Sequence, residues 1–162
     1  MQRMAIFMVL AVLLVIGAFY VRAVTAGHNP DEWHVDVMTV ARPATPNTYF
    51  VAPQAMVEAM VDLEAPVYAI PAAVMAKAFD DFVLTQPNAQ NIAGSADALW
   101  LTYVQRTPKL KMPDYITVKF IDLEDGKSTL AIYSRSRYGY GDMGVNKARI
   151  DLWLQSLSSF EE

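Results

Sequence analysis

The chain of 162 residues contains no cysteine. That excludes disulfides, thiol catalysis, thiolate-ligated metals and an anchor acylated on cysteine. Histidine is almost as scarce. His28 and His34 are the only two, and no H-E-x-x-H or other paired-histidine spacing occurs, so no zinc centre is expected. No other metal or cofactor is expected either. A G-x-S-x-G elbow and a Walker-type phosphate loop are both missing. Asp80 and Asp81 are neighbours on a predicted helix and diverge by about 100°, so they do not form an acid/base pair. Glu58, Asp62 and Glu64 make an acidic stretch without partner bases. No catalytic residue is assigned, and the balance leans away from an enzyme.

Positive charge is unevenly spread. From Ala23 to Trp100, Arg42 and Lys77 stand against nine acidic residues; from Leu101 to Arg149 there are nine basic and five acidic residues. A dipolar domain follows, its basic side built by the C-terminal strands. Such a side suits anionic lipid headgroups or an acidic protein.

Charge is wholly absent from Met4 to Val21, with Arg3 before the run and Arg22 after it. Eighteen residues at about 1.5 Å each just cross a hydrocarbon core of about 30 Å. Val24-Thr25-Ala26 offers a small-residue cleavage site, but the run is longer than the 7–15 residues usual in a signal peptide, and Arg22 intervenes. We therefore expect an uncleaved anchor: residues 1–3 cytoplasmic, 4–21 transmembrane, 22–63 linker and extended arm, 64–162 the folded domain. The expected location is the bacterial inner membrane, single-pass, with the domain on the outer, periplasmic side, where nucleic acid is not an expected partner.

The rest of the chain is enough for one core. Trp33 to Val40 alternates and predicts a strand or extended arm. Arg42 to Asn47 predicts a loop, and Tyr49 to Val51 a short strand. Ala65 to Ile70 reads as a strand leading into a helix opened by Pro71. That helix carries Val74, Met75, Ala78, Phe79, Phe82 and Val83 on one face and stops before Pro87. Strands are expected at Leu99–Arg106, Tyr115–Leu123 and Thr129–Arg137, the last two joined by a turn at Glu124-Asp125-Gly126-Lys127. A final helix, Gly144 to Leu157, should bury Val145, Ile150, Trp153, Leu154 and Leu157. The fold class is α+β: an N-terminal transmembrane helix, then one small domain of antiparallel sheet, one internal helix and a C-terminal helix, with the helices on one face of the sheet. Trp33 and Tyr20 are candidate interfacial aromatics.

The segment from Ser134 to Arg149 is the densest in polar residues. Gly139, Gly141 and Gly144 match G-x-G-x-x-G literally, but a dinucleotide unit needs a following parallel strand with an acidic residue at its end, and the residues up to Glu162 are still within or just past the helix. An anion site is one reading: Tyr133, Arg135 and Arg137 share a strand face next to a helix N-terminus. A structural corner is the other. Asp142 would cap the helix and pair with Arg137 or Arg149, the glycines would permit positive φ or close approach, and Asn146 would bind loop backbone. The candidate binding residues are Arg135, Arg137, Asp142, Asn146 and Arg149; the candidate turn residues are Gly139, Gly141 and Gly144.

The stretch Ser136-Arg137-Tyr138-Gly139-Tyr140-Gly141-Asp142-Met143-Gly144-Val145-Asn146-Lys147-Ala148-Arg149 resembles the S-R-x-G-x-x-D-x-G-x-N-x-x-R signature of domain-of-unknown-function family number 1499. Pro113 to Val118 and Leu130 to Arg137 are similar to its bacterial members as well. The resemblance spans roughly Glu64 to Leu157. Arg137, Gly139, Asp142, Gly144, Asn146 and Arg149 match the signature, while Tyr133 replaces a frequent arginine and Gly141 a frequent serine. The resemblance implies a small domain, often membrane-associated or exported in bacteria, with no established activity. Three functions stay open: a membrane-anchored binding or assembly domain directed at an acidic envelope protein, an anionic lipid or a small ligand; a small-molecule or lipid carrier; and an enzyme with an unrecognised site.

Overall fold

The computed structural model describes residues 2–162; the expected cytoplasmic stretch 1–3 begins at Met1, outside the described residues. Helix α1, Gln2–Val24, is 23 residues long, or about 35 Å. Its apolar side chains are exposed except for Ala23. It is long and apolar enough to cross a membrane, a property it shares with a signal sequence.

Five strands follow: β1 Thr48–Val51, β2 Ala89–Ser95, β3 Trp100–Arg106, β4 Pro113–Asp122 and β5 Ser128–Ser136. They form one antiparallel sheet in the order β1-β5-β4-β3-β2. Period-two alternation gives the sheet two distinct faces. Leu101, Tyr103, Ile116, Val118, Phe120, Leu130 and Ile132 look one way and form the main core. Helices α3, Ala72–Val83, and α4, Val145–Gln155, close this face. The α+β expectation, with both helices on one side, holds.

The opposite face is covered by the N-terminal segment. A single helical turn, α2, Pro30–Trp33, ends on the first residue of the segment expected as a strand or extended arm, Trp33 to Val40; the rest forms no strand and carries a turn at 37–39. Asn29 caps α2 by accepting the Asp31 amide, and Pro30 pre-sets its first φ. The alternation there reflects contact with the sheet. Trp33 packs on Tyr115 and Val104, and Val37 with Phe50 and Tyr133. Asp62, expected to lack a basic partner, pairs with Arg42 at 2.8 Å and accepts the Phe50 amide at 2.7 Å. Ala65 to Ile70 is not a continuous strand, because Tyr68 alone bridges to Ser128 and Glu161.

Edge strand β2 was not anticipated. Its sequence, Ala-Gln-Asn-Ile-Ala-Gly-Ser, is poor in strand formers, and it owes its conformation to pairing with β3. In α3 the buried face is Ala72, Met75, Ala76, Phe79 and Val83, while Val74 is exposed. In α4 the buried side chains are Asn146, Arg149, Ile150 and Trp153; Val145, expected inside, points out. Two polar residues thus lead the inward stripe of α4.

Candidate functional site

The eight candidate residues leave the end of β5, pass through the β5–α4 corner and enter α4. Alternation along β5 divides them. Ser134 and Ser136 face α4, while Tyr133, Arg135 and Arg137 face the N-terminal segment. The sheet therefore stands between two groups of polar residues that are contiguous in sequence.

On the helix side, Arg149 is buried and its donors are nearly all taken. Nε donates to Gln105 Oε1 at 2.6 Å, one terminal nitrogen to Asn146 Oδ1 at 2.6 Å and Ser134 Oγ at 3.1 Å, and the other to Asp114 Oδ2 at 2.6 Å. The side chains of Arg149 and Asp114 are 5% and 3% exposed. An isolated charge at such depth would cost several kcal/mol, so each requires the other. Asn146 continues the network. Its Nδ2 donates to Asn47 O at 2.9 Å and Ser136 Oγ at 3.1 Å, and its Oδ1 also accepts Ser134 Oγ at 2.6 Å. It ties the chain entering β1 to the end of β5.

Asp142 lies where a cap is needed. Its two oxygens accept the Gly144 amide at 3.1 Å and the Asn146 amide at 2.7 Å, satisfying free N–H groups of α4. The expected ion pair of Asp142 with an arginine does not form, since Arg149 is held by Asp114. Gly139 and Gly144 adopt φ of +92° and +79°, the left-handed region where a Cβ is costly. Gly141 has no such φ, and a Cβ there would meet only Pro46 Cγ at 3.9 Å.

On the other face, Arg135 is sandwiched between the Trp33 and Tyr133 rings, each centroid 5.2 Å from the guanidinium carbon. One terminal nitrogen donates to Trp33 O at 2.8 Å, and the other is buried without a hydrogen-bond partner, its charge met by the ring faces. Arg137 donates to Gly27 O at 2.8 Å and Tyr115 Oη at 3.0 Å. Beside it, Arg106 donates to Ala26 O at 3.2 Å, Ala23 O at 3.4 Å and Lys111 O at 2.9 Å. Arg106 thus reaches a carbonyl in the last turn of α1, where the helix dipole favours cations, and both arginines hold the linker that follows the helix. His28 links Tyr115 to Arg106, with Nδ1 2.8 Å from Tyr115 Oη and Nε2 3.2 Å from Arg106. Tyr115 stacks on Trp33 at 3.7 Å and 9°.

This setting controls protonation. Burial, reinforced by the charges of Arg106 and Arg137, pushes the His28 pKa below the ordinary histidine value. Burial alone does the same to His34, which stacks on Trp100 and binds Thr102 Oγ1 at 2.8 Å. Burial raises the Tyr115 phenol, although Arg137 opposes the shift. Neutral imidazole and neutral phenol are the forms this junction holds at neutral pH.

A cavity of about 470 Å³ opens between the β3–β4 loop and the β5–α4 corner, lined mainly by apolar groups including Leu110, Met112, Tyr138, Met143 and Val145. It lies at the end of the sheet. The space between sheet and helices is filled by Phe79, Tyr103, Phe120 and Trp153 in edge-to-face or tilted contact. Among the described residues no group of three or more histidine or carboxylate side chains could hold a metal ion. Asp80 accepts the Tyr103 hydroxyl and Asp81 pairs with Lys77.

Several structural partners were not singled out from sequence: Asp114, Gln105, Asn47, Arg106 and Tyr115. Asp114 carried one usable signal, as an acid at the start of a strand whose next residues are mostly apolar. A buried carboxylate needs a cation, and Arg149 is the cation on the facing helix. Arg106 carried none, because its partners are backbone carbonyls.

Comparison with curated proteins gives no match. The family described as Protein of unknown function (DUF1499) matches residues 37–157, which takes in the covering segment from Val37 onward, the whole sheet and both packed helices. The chain belongs to the DUF1499 family.

Proposed function

We propose that this chain is a single-pass membrane protein whose DUF1499 domain is held against the outer face of a bacterial cytoplasmic membrane as a binding and assembly module. One observation carries the reading: Arg106 holds the Ala23 carbonyl in the last turn of α1, and Arg106 and Arg137 hold the Ala26 and Gly27 carbonyls just past it. Cleavage after Ala26 would remove two of these acceptors and the Phe19 ring that packs edge-on against Tyr138 at 5.5 Å. The domain is built around a retained helix. A binding role accords with the remaining chemistry, because the polar side chains that could attack or activate a substrate are engaged in capping, ion pairing or tying strands together. The partner surface is the loop end beside α1, where Lys109 and Lys111 are exposed. Arg135 and Arg149 serve it indirectly, by fixing the two layers that flank that end.

The absence of cysteine makes the test clean. Single-cysteine variants Gln2→Cys and Ala98→Cys are treated with a membrane-impermeant maleimide in intact spheroplasts, and the mature chain is weighed by intact mass spectrometry. Labelling at position 98 only, with the full-length mass, is expected. A mature chain beginning at Gly27, or labelling at position 98 only after lysis, overturns the reading.

A further inference from the structure

The cavity at the loop end has a neighbour that indicates what covers it. Tyr138 lines the cavity and also touches Phe19 of α1. Phe19 precedes the end of α1 at Val24 by five residues, so Tyr138 reaches about 7 Å down beside the apolar helix. The loop end therefore lies at the level where α1 leaves a bilayer.

The side chains there are unusual for a surface that faces water. Leu110 is 60% exposed, Tyr140 75% and Met143 fully. Lys109 and Lys111 flank Leu110, while the acids nearby are occupied: Asp114 with Arg149, and Asp142 with the amides of α4. At the opposite end of the sheet, the turns carry Asp97, Glu124 and Asp125. Apolar tips ringed by lysines at one end and acids at the other form a polarity suited to an anionic surface.

We infer that the loop end of the domain rests on the bilayer that α1 crosses, with Leu110, Tyr140 and Met143 entering the lipid interface and Lys109 and Lys111 meeting anionic headgroups. The domain is thus attached at two places, through α1 and through these tips, and its acidic end points away from the membrane. The inference rests on the anchor reading above.

The test uses the full chain in phosphatidylcholine vesicles made with or without phosphatidylglycerol. A polarity-sensitive fluorophore is placed on single cysteines at Leu10, Leu110, Met143 and Asp125, and a nitroxide on the lipid acyl chain serves as quencher. Blue-shifted emission and strong quenching are expected at positions 10, 110 and 143, with none at 125. Quenching at position 10 alone overturns the inference and leaves the anchor reading intact, the loop end then being free for a protein. No quenching at position 10 overturns the anchor reading and the inference with it. A Lys109→Glu, Lys111→Glu variant should lose most of the quenching at position 143 in anionic vesicles, and unchanged quenching overturns the headgroup contact.

Discussion

The two faces of the sheet are closed by different physical means. On one, α3 and α4 interlock with the strands through Phe79, Tyr103, Phe120 and Trp153, around a single internal ion pair. On the other, the segments on either side of β1, from Trp33 to Asn47 and from Ala52 to Val61, lie over the strands with little regular structure, held by stacking, carbonyl hydrogen bonds and the partly exposed Lys119–Asp36 pair at 3.3 Å. The first face sets the global stability of the domain. The second has fewer interlocking side chains and adjoins α1, so it is the face expected to open first. This places the adjustable layer where α1 and the loops at the end of the sheet meet.

The comparison breaks most severely if the buried pair is halved. Asp114→Asn or Arg149→Met alone should cost about 3–5 kcal/mol, because the remaining charge or donors lose their partner. The double variant Asp114→Leu, Arg149→Met should recover much of that loss. Urea unfolding of the full chain in detergent measures both, and a mild single variant would show that water reaches the pair.

Truncation on each face sharpens the contrast. Phe79→Ala should cost about 3–5 kcal/mol and lower protection of β3 to β5 together. Trp33→Ala removes the stack on Tyr115 and a wall of the Arg135 site, yet should reduce global stability by only about 1–2 kcal/mol, because the covering segment detaches locally. Hydrogen exchange would then show fast amides before residue 62 and unchanged ones in β4. Equal loss across the sheet would contradict the division.

Acid separates the faces without mutation. His28 and His34 both lie on the covered face, and both have folded-state pKa values below the unfolded value near 6.5. A group depressed in this way binds more protons when unfolded, so stability rises with pH between the two values. The contribution is complete above about pH 6.5 and is lost as pH falls through the depressed folded-state pKa. Exchange in residues 28–40 should accelerate as pH is lowered from 7 to 5, after correction for the intrinsic rate, while the helix side stays protected. His28→Gln should remove part of the dependence and leave the part due to His34. Of all the effects, Arg137→Ala should be the smallest, about 1 kcal/mol at a half-exposed site. It should loosen α1 relative to the domain, seen as broader spin-label distances between positions 10 and 98, with unfolding little changed.

Part of the candidate site was legible in the sequence. Asp142 reads as a helix cap from its place before an apolar-periodic segment, and its carboxylate accepts two amides there. Asn146 reads as a binder of loop backbone, and it holds Asn47 O. The partner of Arg149 was not legible. Asp142 is nearer in sequence, but α4 turns Arg149 inward onto β4, where Asp114 is the carboxylate within reach. Nor was the division of the arginines, because it depends on which face α4 covers. Likewise α4 shows little amphipathic contrast, since its inward stripe begins with Asn146 and Arg149, and only the network waiting for them makes burial favourable.

By itself the sequence determined the apolar helix, α3 with its Met75, Phe79 and Val83 stripe, strands β3 to β5 with their alternation, and the Glu124–Gly126 turn. Each is encoded by local periodicity or turn chemistry that no distant residue has to supply. The tertiary structure decided the rest: that β2 is a strand, that the segments flanking β1 close the second face, that Arg149 meets Asp114, and that Arg106 and Arg137 hold the end of α1 and the linker after it. Each of these depends on a partner in another element, and a hydrogen bond or ion pair to such a partner leaves no periodic trace in the residues that make it.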